Sequence, residues 1–130
     1  MFFRVLCGVM AALFLFSVVV QVNDPDPVQW MAMYAASAVL SALAARRRPG
    51  YGWPWPALVG LVALGWGLFL WPGVREPGAF EHMADAWEMK DASIEQARET
   101  TALLVTAGWM AILAIAARIR RAGPAASARA

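Results

Sequence analysis

The sequence predicts an all-α integral membrane protein, a four-helix bundle with both termini in the cytoplasm and an amphipathic surface helix between the third and fourth spans. Three observations predict it. The chain is 130 residues long with 61% hydrophobic and 15% charged residues, far more apolar than a water-soluble domain. Four apolar runs have close to the length that a bilayer-spanning helix requires. The basic residues gather at the ends of those runs rather than along a face, which sets the net charge of +2 apart from a nucleic-acid-binding pattern.

The first span covers about residues 5–22 and stops at Asn23-Asp24-Pro25-Asp26-Pro27, where two prolines and two carboxylates prevent continuation. It follows Arg4 as a secretory signal would, but it lacks the small-x-small cleavage pattern and reads as a retained helix. Asp26 is placed to cap the second helix, with Pro27 at its first position. The second span, about 28–45, ends at Arg46-Arg47-Arg48, and the Pro-, Gly- and Trp-rich stretch after it reads as an interfacial loop. The third, about 55–71, is short and leans on Trp55 and Trp71 as interface anchors. The fourth, about 100–117, ends in Arg118-Ile119-Arg120-Arg121. Residues 1–121 thus form a single transmembrane domain, and 122–130 read as a flexible tail.

Orientation follows from the retention of Lys and Arg in the cytoplasm. Arg4, Arg46, Arg47, Arg48, Arg118, Arg120, Arg121 and Arg129 lie on one side, and Arg75, Lys90 and Arg98 on the other, eight against three. Both termini are therefore expected inside, in a bacterial-type inner membrane. All nine carboxylates then fall outside, so that face carries three positive and nine negative side chains. Trp30, Trp53, Trp55, Trp71 and Trp87 fall at interfaces, whereas Trp66 and Trp109 lie deeper and are expected to pack between helices.

In lipid, helices associate by close packing at small residues, because burying apolar surface gives no advantage over lipid tails. Candidate seams are Gly8 with Ala12, Ala32 with Ala36, Gly60 with Ala63 and Gly67, and Ala107 with Ala111. The span centres carry no Asp, Glu, Lys, Arg or His. A proton-coupled pump needs such a group near the midplane. Ser17, Ser37, Ser41 and Thr106 supply the polarity there, and the serines are expected to bond their own helix backbone.

Between the last two spans, about residues 79–98 form the expected surface helix. At helical spacing Phe80, Met83, Trp87 and Ile94 share one face, and Glu81, Asp85, Glu88, Glu95 and Glu99 another. Glu81, His82, Asp85 and Glu88 form an acidic stripe that reads as a solvated face, with a divalent cation as the sharper alternative. One cysteine and one histidine exclude an internal disulfide and a bis-histidine haem. No cofactor is indicated. Glu95, Arg98 and Glu99 differ from the stripe because they sit where the helix meets the membrane and need partners. The turn with Gln21, Asn23 and Asp24 ends on the same side, so a polar cluster joining the two hairpins is expected.

The run Gln21-Val22-Asn23-Asp24-Pro25-Asp26-Pro27, with Trp30, Tyr34 and the later Glu95-x-x-Arg98-Glu99, resembles the transmembrane protein 220 family of small multi-span proteins. The resemblance covers the first hairpin and the start of the last span, about half the chain, with the acidic segment and Arg-rich tail as local elaboration. It implies a small helical membrane protein and brings no reaction or cofactor. Function is expected to be non-catalytic, a structural or accessory subunit packing with itself or with other membrane proteins, such as a respiratory, photosynthetic or transport complex. The alternatives are an outer-face cation- or lipid-binding protein assisting transport, and a membrane enzyme using Glu99 or His82. The last lacks a nucleophile with an adjacent base.

Overall fold

The computed structural model describes residues 1–23, 26–46, 52–74, 79–82 and 92–127. Among these every regular element is helical: α1 (Phe2–Val20), α2 (Pro27–Arg46), α3 (Pro54–Leu70), α4 (Ala79–His82) and α5 (Ala92–Ser127). A 3-10 turn extends α1 over Gln21–Asn23, and another extends α3 over Trp71–Gly73. Four helices are long and apolar enough to cross a membrane, over Phe2–Asn23, Pro27–Arg46, Pro54–Gly73 and Ser93–Arg121. The protein is a multi-pass integral membrane protein. The chain divides into two compact units, one of Met1–Val59 with Met110–Ala130 and one of Gly60–Trp109.

In the first unit α1 and α2 pack antiparallel. Arg4 Nε donates to the Ala45 carbonyl at 2.9 Å, and ten residues on, Phe14 stacks on Tyr34 with ring centroids 6.3 Å apart. Trp30 stacks on Tyr34 in turn at 6.0 Å, and all three rings are buried. Trp30 thus turns inward into the helix pair, a packing that the expectation of its level at the membrane interface does not specify. Its position one turn upstream of Tyr34 on the same face decides this, because offset ring pairs gain more than area alone. At the start of α2, Pro27 takes the first helical position, and the Asp26 carboxylate accepts from Gln29 Nε2 at 3.3 Å.

In the second unit α3 and α5 meet closely. A Cβ placed on Gly67 would lie 3.3 Å from Leu103 Cβ and 3.6 Å from Leu104 Cδ2, so this glycine lets two backbones approach. Gly60 and Ala63, the other members of that seam, are buried too. Trp71 packs against Phe80 of α4, centroids 5.6 Å apart. Trp109 is buried, as its depth in the span requires, and Trp66 is half-buried.

Not every expected seam closes. Gly8 and Ala12 are both exposed, and a Cβ on Gly8 would meet nothing within 4 Å. Ala32 and Ala111 are exposed as well, although Ala107 is buried. Small-residue spacing marks where close approach is possible, whereas the rotation of each helix is set by its larger side chains, in α1 by Phe14.

α5 runs unbroken through the junction at Arg98 to Thr100, where a surface helix was expected to hand over to the last span. Its 36 residues make a rod of about 54 Å, well beyond the roughly 30 Å of hydrocarbon. Residues 95–101 contain neither Gly nor Pro, so nothing interrupts the hydrogen-bond ladder. The part of the expected surface helix between α4 and α5 lies outside the described residues. At the other end the backbone stays helical to Ser127, past the expected limit at Arg121. Ala122, Ala125 and Ala126 favour this continuation despite Gly123 and Pro124.

Candidate functional site

The buried polarity of the spans is internally satisfied with one exception. Ser17, Ser37, Ser41, Thr101 and Thr106 each donate a hydroxyl to the carbonyl four residues back, over 2.8 to 3.0 Å. This is the backbone bonding expected of the serines, and Thr106 behaves in the same way. Thr100 is fully buried, yet its Oγ1 has no partner among the described residues. Leaving such a hydroxyl unpaired costs about 1–3 kcal/mol. The sequence reading passed over Thr100. The signal available was its place on one face of α5 with Gln96, Leu103, Ala107 and Met110, a stripe that is polar only at its N-terminal end.

The expected outer polar cluster divides between the two units. In the first, Gln21 is half-buried in the turn after α1, Asn23 and Asp26 are exposed, and Trp30 and Tyr34 belong to the aromatic stack. Asp24 lies outside the described residues. In the second, Glu95, Arg98 and Glu99 sit half-buried on the first turns of α5, and Arg98 and Glu99 are engaged with other groups. The neighbouring Gln96 presses its side-chain amide on Gly73, so closely that a Cβ there would overlap the amide. α5 and the turn after α3 therefore make a fitted polar contact at this end of the unit. Of the weaker acidic stripe, Glu81 is exposed on α4, His82 ends that helix, and Asp85 and Glu88 lie outside the described residues. Among the described residues no three His, Cys, Asp or Glu side chains come together to hold a metal.

The opposite end of the first unit was not singled out in the sequence, and it is well organised. Arg118 lies over the Trp53 ring at 5.7 Å from the centroid. Arg121 Nη2 is 3.5 Å from where a Cβ on Gly52 would sit. Arg120 Nε donates to the Ala116 carbonyl at 3.1 Å.

A protein-family model, described as "Transmembrane family 220, helix", matches residues 13–115 of the 130. The chain belongs to transmembrane family 220. The match spans the turn with Gln21, Asn23 and Asp24 as well as the Glu95-x-x-Arg98-Glu99 motif, so both halves of the candidate cluster fall inside the family region. Its bounds also bracket the acidic segment between α3 and α5. The arginines from Arg118 onward lie beyond it. No solved structure matches the chain.

Proposed function

We propose that this family 220 member is a non-catalytic membrane protein that packs laterally, through α1, against copies of itself or other membrane proteins, as a structural or accessory subunit. The observation that carries this reading is the outward face of α1. Gly8 and Ala12 form a small-x-x-x-small pair, and both are exposed, with open space beside Gly8. In lipid such a notch gains from a second helix, which can approach closely enough for backbone contact. α1 is also the least enclosed span, with 11% of its apolar window buried against 39% in α2 and in the last span. The collection of Arg4, Arg46, Arg118, Arg120 and Arg121 in one unit supports a cytoplasmic placement of both termini, in a bacterial-type inner membrane.

The test is purification in mild detergent. A stoichiometric partner or a homo-oligomer is expected, and a lone monomer contradicts the reading.

Thr100 favours a second reading, in which the outer end holds a cation or a lipid group that completes its hydroxyl, with Glu95 and Glu99 nearby on the same helix. Calcium or zinc should then raise the unfolding temperature, and neutralising Glu95 and Glu99 should remove the effect. The absence of any shift with either ion sinks the cation version.

A further inference from the structure

We propose that the arginine-rich end of the first unit, where Arg4, Arg118 and Arg121 are held against α2 and the start of α3, binds the phosphate of an anionic phospholipid headgroup. This site is independent of the association surface on α1 and lies at the opposite end of the first unit from Gln21 and Asp26.

Within its own unit the charge there has no acidic side chain beside it among the described residues. The two stretches that make up the unit contain only Asp24 and Asp26 as acidic side chains, and both precede α2, whereas the arginines lie at its far end. Twenty residues of helix separate Asp26 from the far end of α2 by about 30 Å, several Debye lengths at physiological salt. The excess positive charge is therefore available to an external anion.

The basic groups are also of one kind. Every basic side chain in these stretches is arginine, and the chain's single lysine, Lys90, is elsewhere. A guanidinium offers a planar fork that matches two phosphate oxygens, whereas an ammonium acts as a point charge. Several of these forks are already positioned. Arg4 is held by its Nε bond to the Ala45 carbonyl, which leaves both Nη groups for a ligand. Arg118 is held by its stacking on Trp53, which leaves the edge of the guanidinium available. Arg121 lies against Gly52, where the missing side chain makes room for it. Arg120, on the same end of α5, is held by its Nε bond to the Ala116 carbonyl at 3.1 Å.

The surroundings select a lipid over a free anion. Trp53 and Trp55 are 38% and 62% exposed at the same end of the spans. Amphipathic rings favour the headgroup level, where their apolar bodies would meet the glycerol and upper acyl region of a lipid whose phosphate sits on the arginines.

The test uses the full chain in mild detergent, with thermal unfolding followed after addition of phosphatidylglycerol, phosphatidylcholine or inorganic phosphate. Phosphatidylglycerol is expected to raise the unfolding temperature by several degrees, and the other two to leave it unchanged. The double variants Arg118→Gln with Arg121→Gln and Arg118→Lys with Arg121→Lys should each lose most of that shift. An equal effect of phosphatidylcholine overturns the proposal, as does an equal effect of inorganic phosphate, which would assign a free-anion site. Full retention of the shift by the lysine variant overturns it too, because surface charge alone would then suffice. Should the glutamine variant fail to fold, native mass spectrometry of the unaltered protein decides: it should retain phosphatidylglycerol and release phosphatidylcholine, and equal retention refutes the site.

Discussion

Thr100 shows how much one side chain can distinguish. Its neighbour Thr101 bonds the Ala97 carbonyl at 2.8 Å, while Thr100, buried on the packed face, leaves its hydroxyl unpaired. Replacing it with the isosteric valine removes the orphaned group without opening a cavity. Thr100→Val should therefore stabilise the purified protein by about 1 kcal/mol in thermal or denaturant unfolding. A clear loss of stability would show that the hydroxyl has a bound partner, and would move the balance toward a ligand at the outer end. Sequence reading foresaw the behaviour of Ser17, Ser37 and Ser41, since back-bonding is local to a helix turn. Thr100 escaped because its state depends on what packs over it, and periodicity alone does not contain that information. Trp30 escaped for a related reason: its depth was legible, but the ring it stacks on was not.

Glycine has opposite consequences on different helices. In α3, Gly67 is pressed on Leu103 and Leu104, and any larger side chain has to displace them. Gly67→Leu should destabilise the protein by about 1–3 kcal/mol, as overpacking does in a filled contact. Gly8→Leu, on an open face of α1, should leave the unfolding temperature of the monomer unchanged. Equal costs at the two positions would contradict the described rotation of α1. From sequence the two glycines are equivalent, each in a four-residue small-side-chain repeat within an apolar run. The four spans themselves were legible because length and apolarity suffice to define them, and all four match described helices. The continuity of α5 was less so. A polar periodic stretch ahead of an apolar one reads equally as a surface helix or as a span projecting beyond the bilayer, and the absence of Gly or Pro across 95–101 was the cue for the second.

At the scale of the first unit, the arginines gather at one end and the turn with Gln21 and Asn23 lies at the other. The resemblance in the first hairpin and in Glu95-x-x-Arg98-Glu99 was sufficient to identify the family, and the match over residues 13–115 extends it. The proposed placement of the arginine end in the cytoplasm makes a direct prediction. In a background with Cys7→Ala, a cysteine introduced as Asn23→Cys should react with a membrane-impermeant thiol reagent added to intact cells, and one introduced as Ala130→Cys should react only after permeabilisation. The reverse pattern would invert the topology.

The central claim is that α1 presents an association surface, and the oligomeric state of Gly8→Leu in mild detergent or nanodiscs tests it most directly. The unaltered protein is expected to migrate as a homo-oligomer or with a stoichiometric partner, and Gly8→Leu as a folded monomer. A monomeric unaltered protein, or a Gly8→Leu variant that stays in its complex, would contradict the claim.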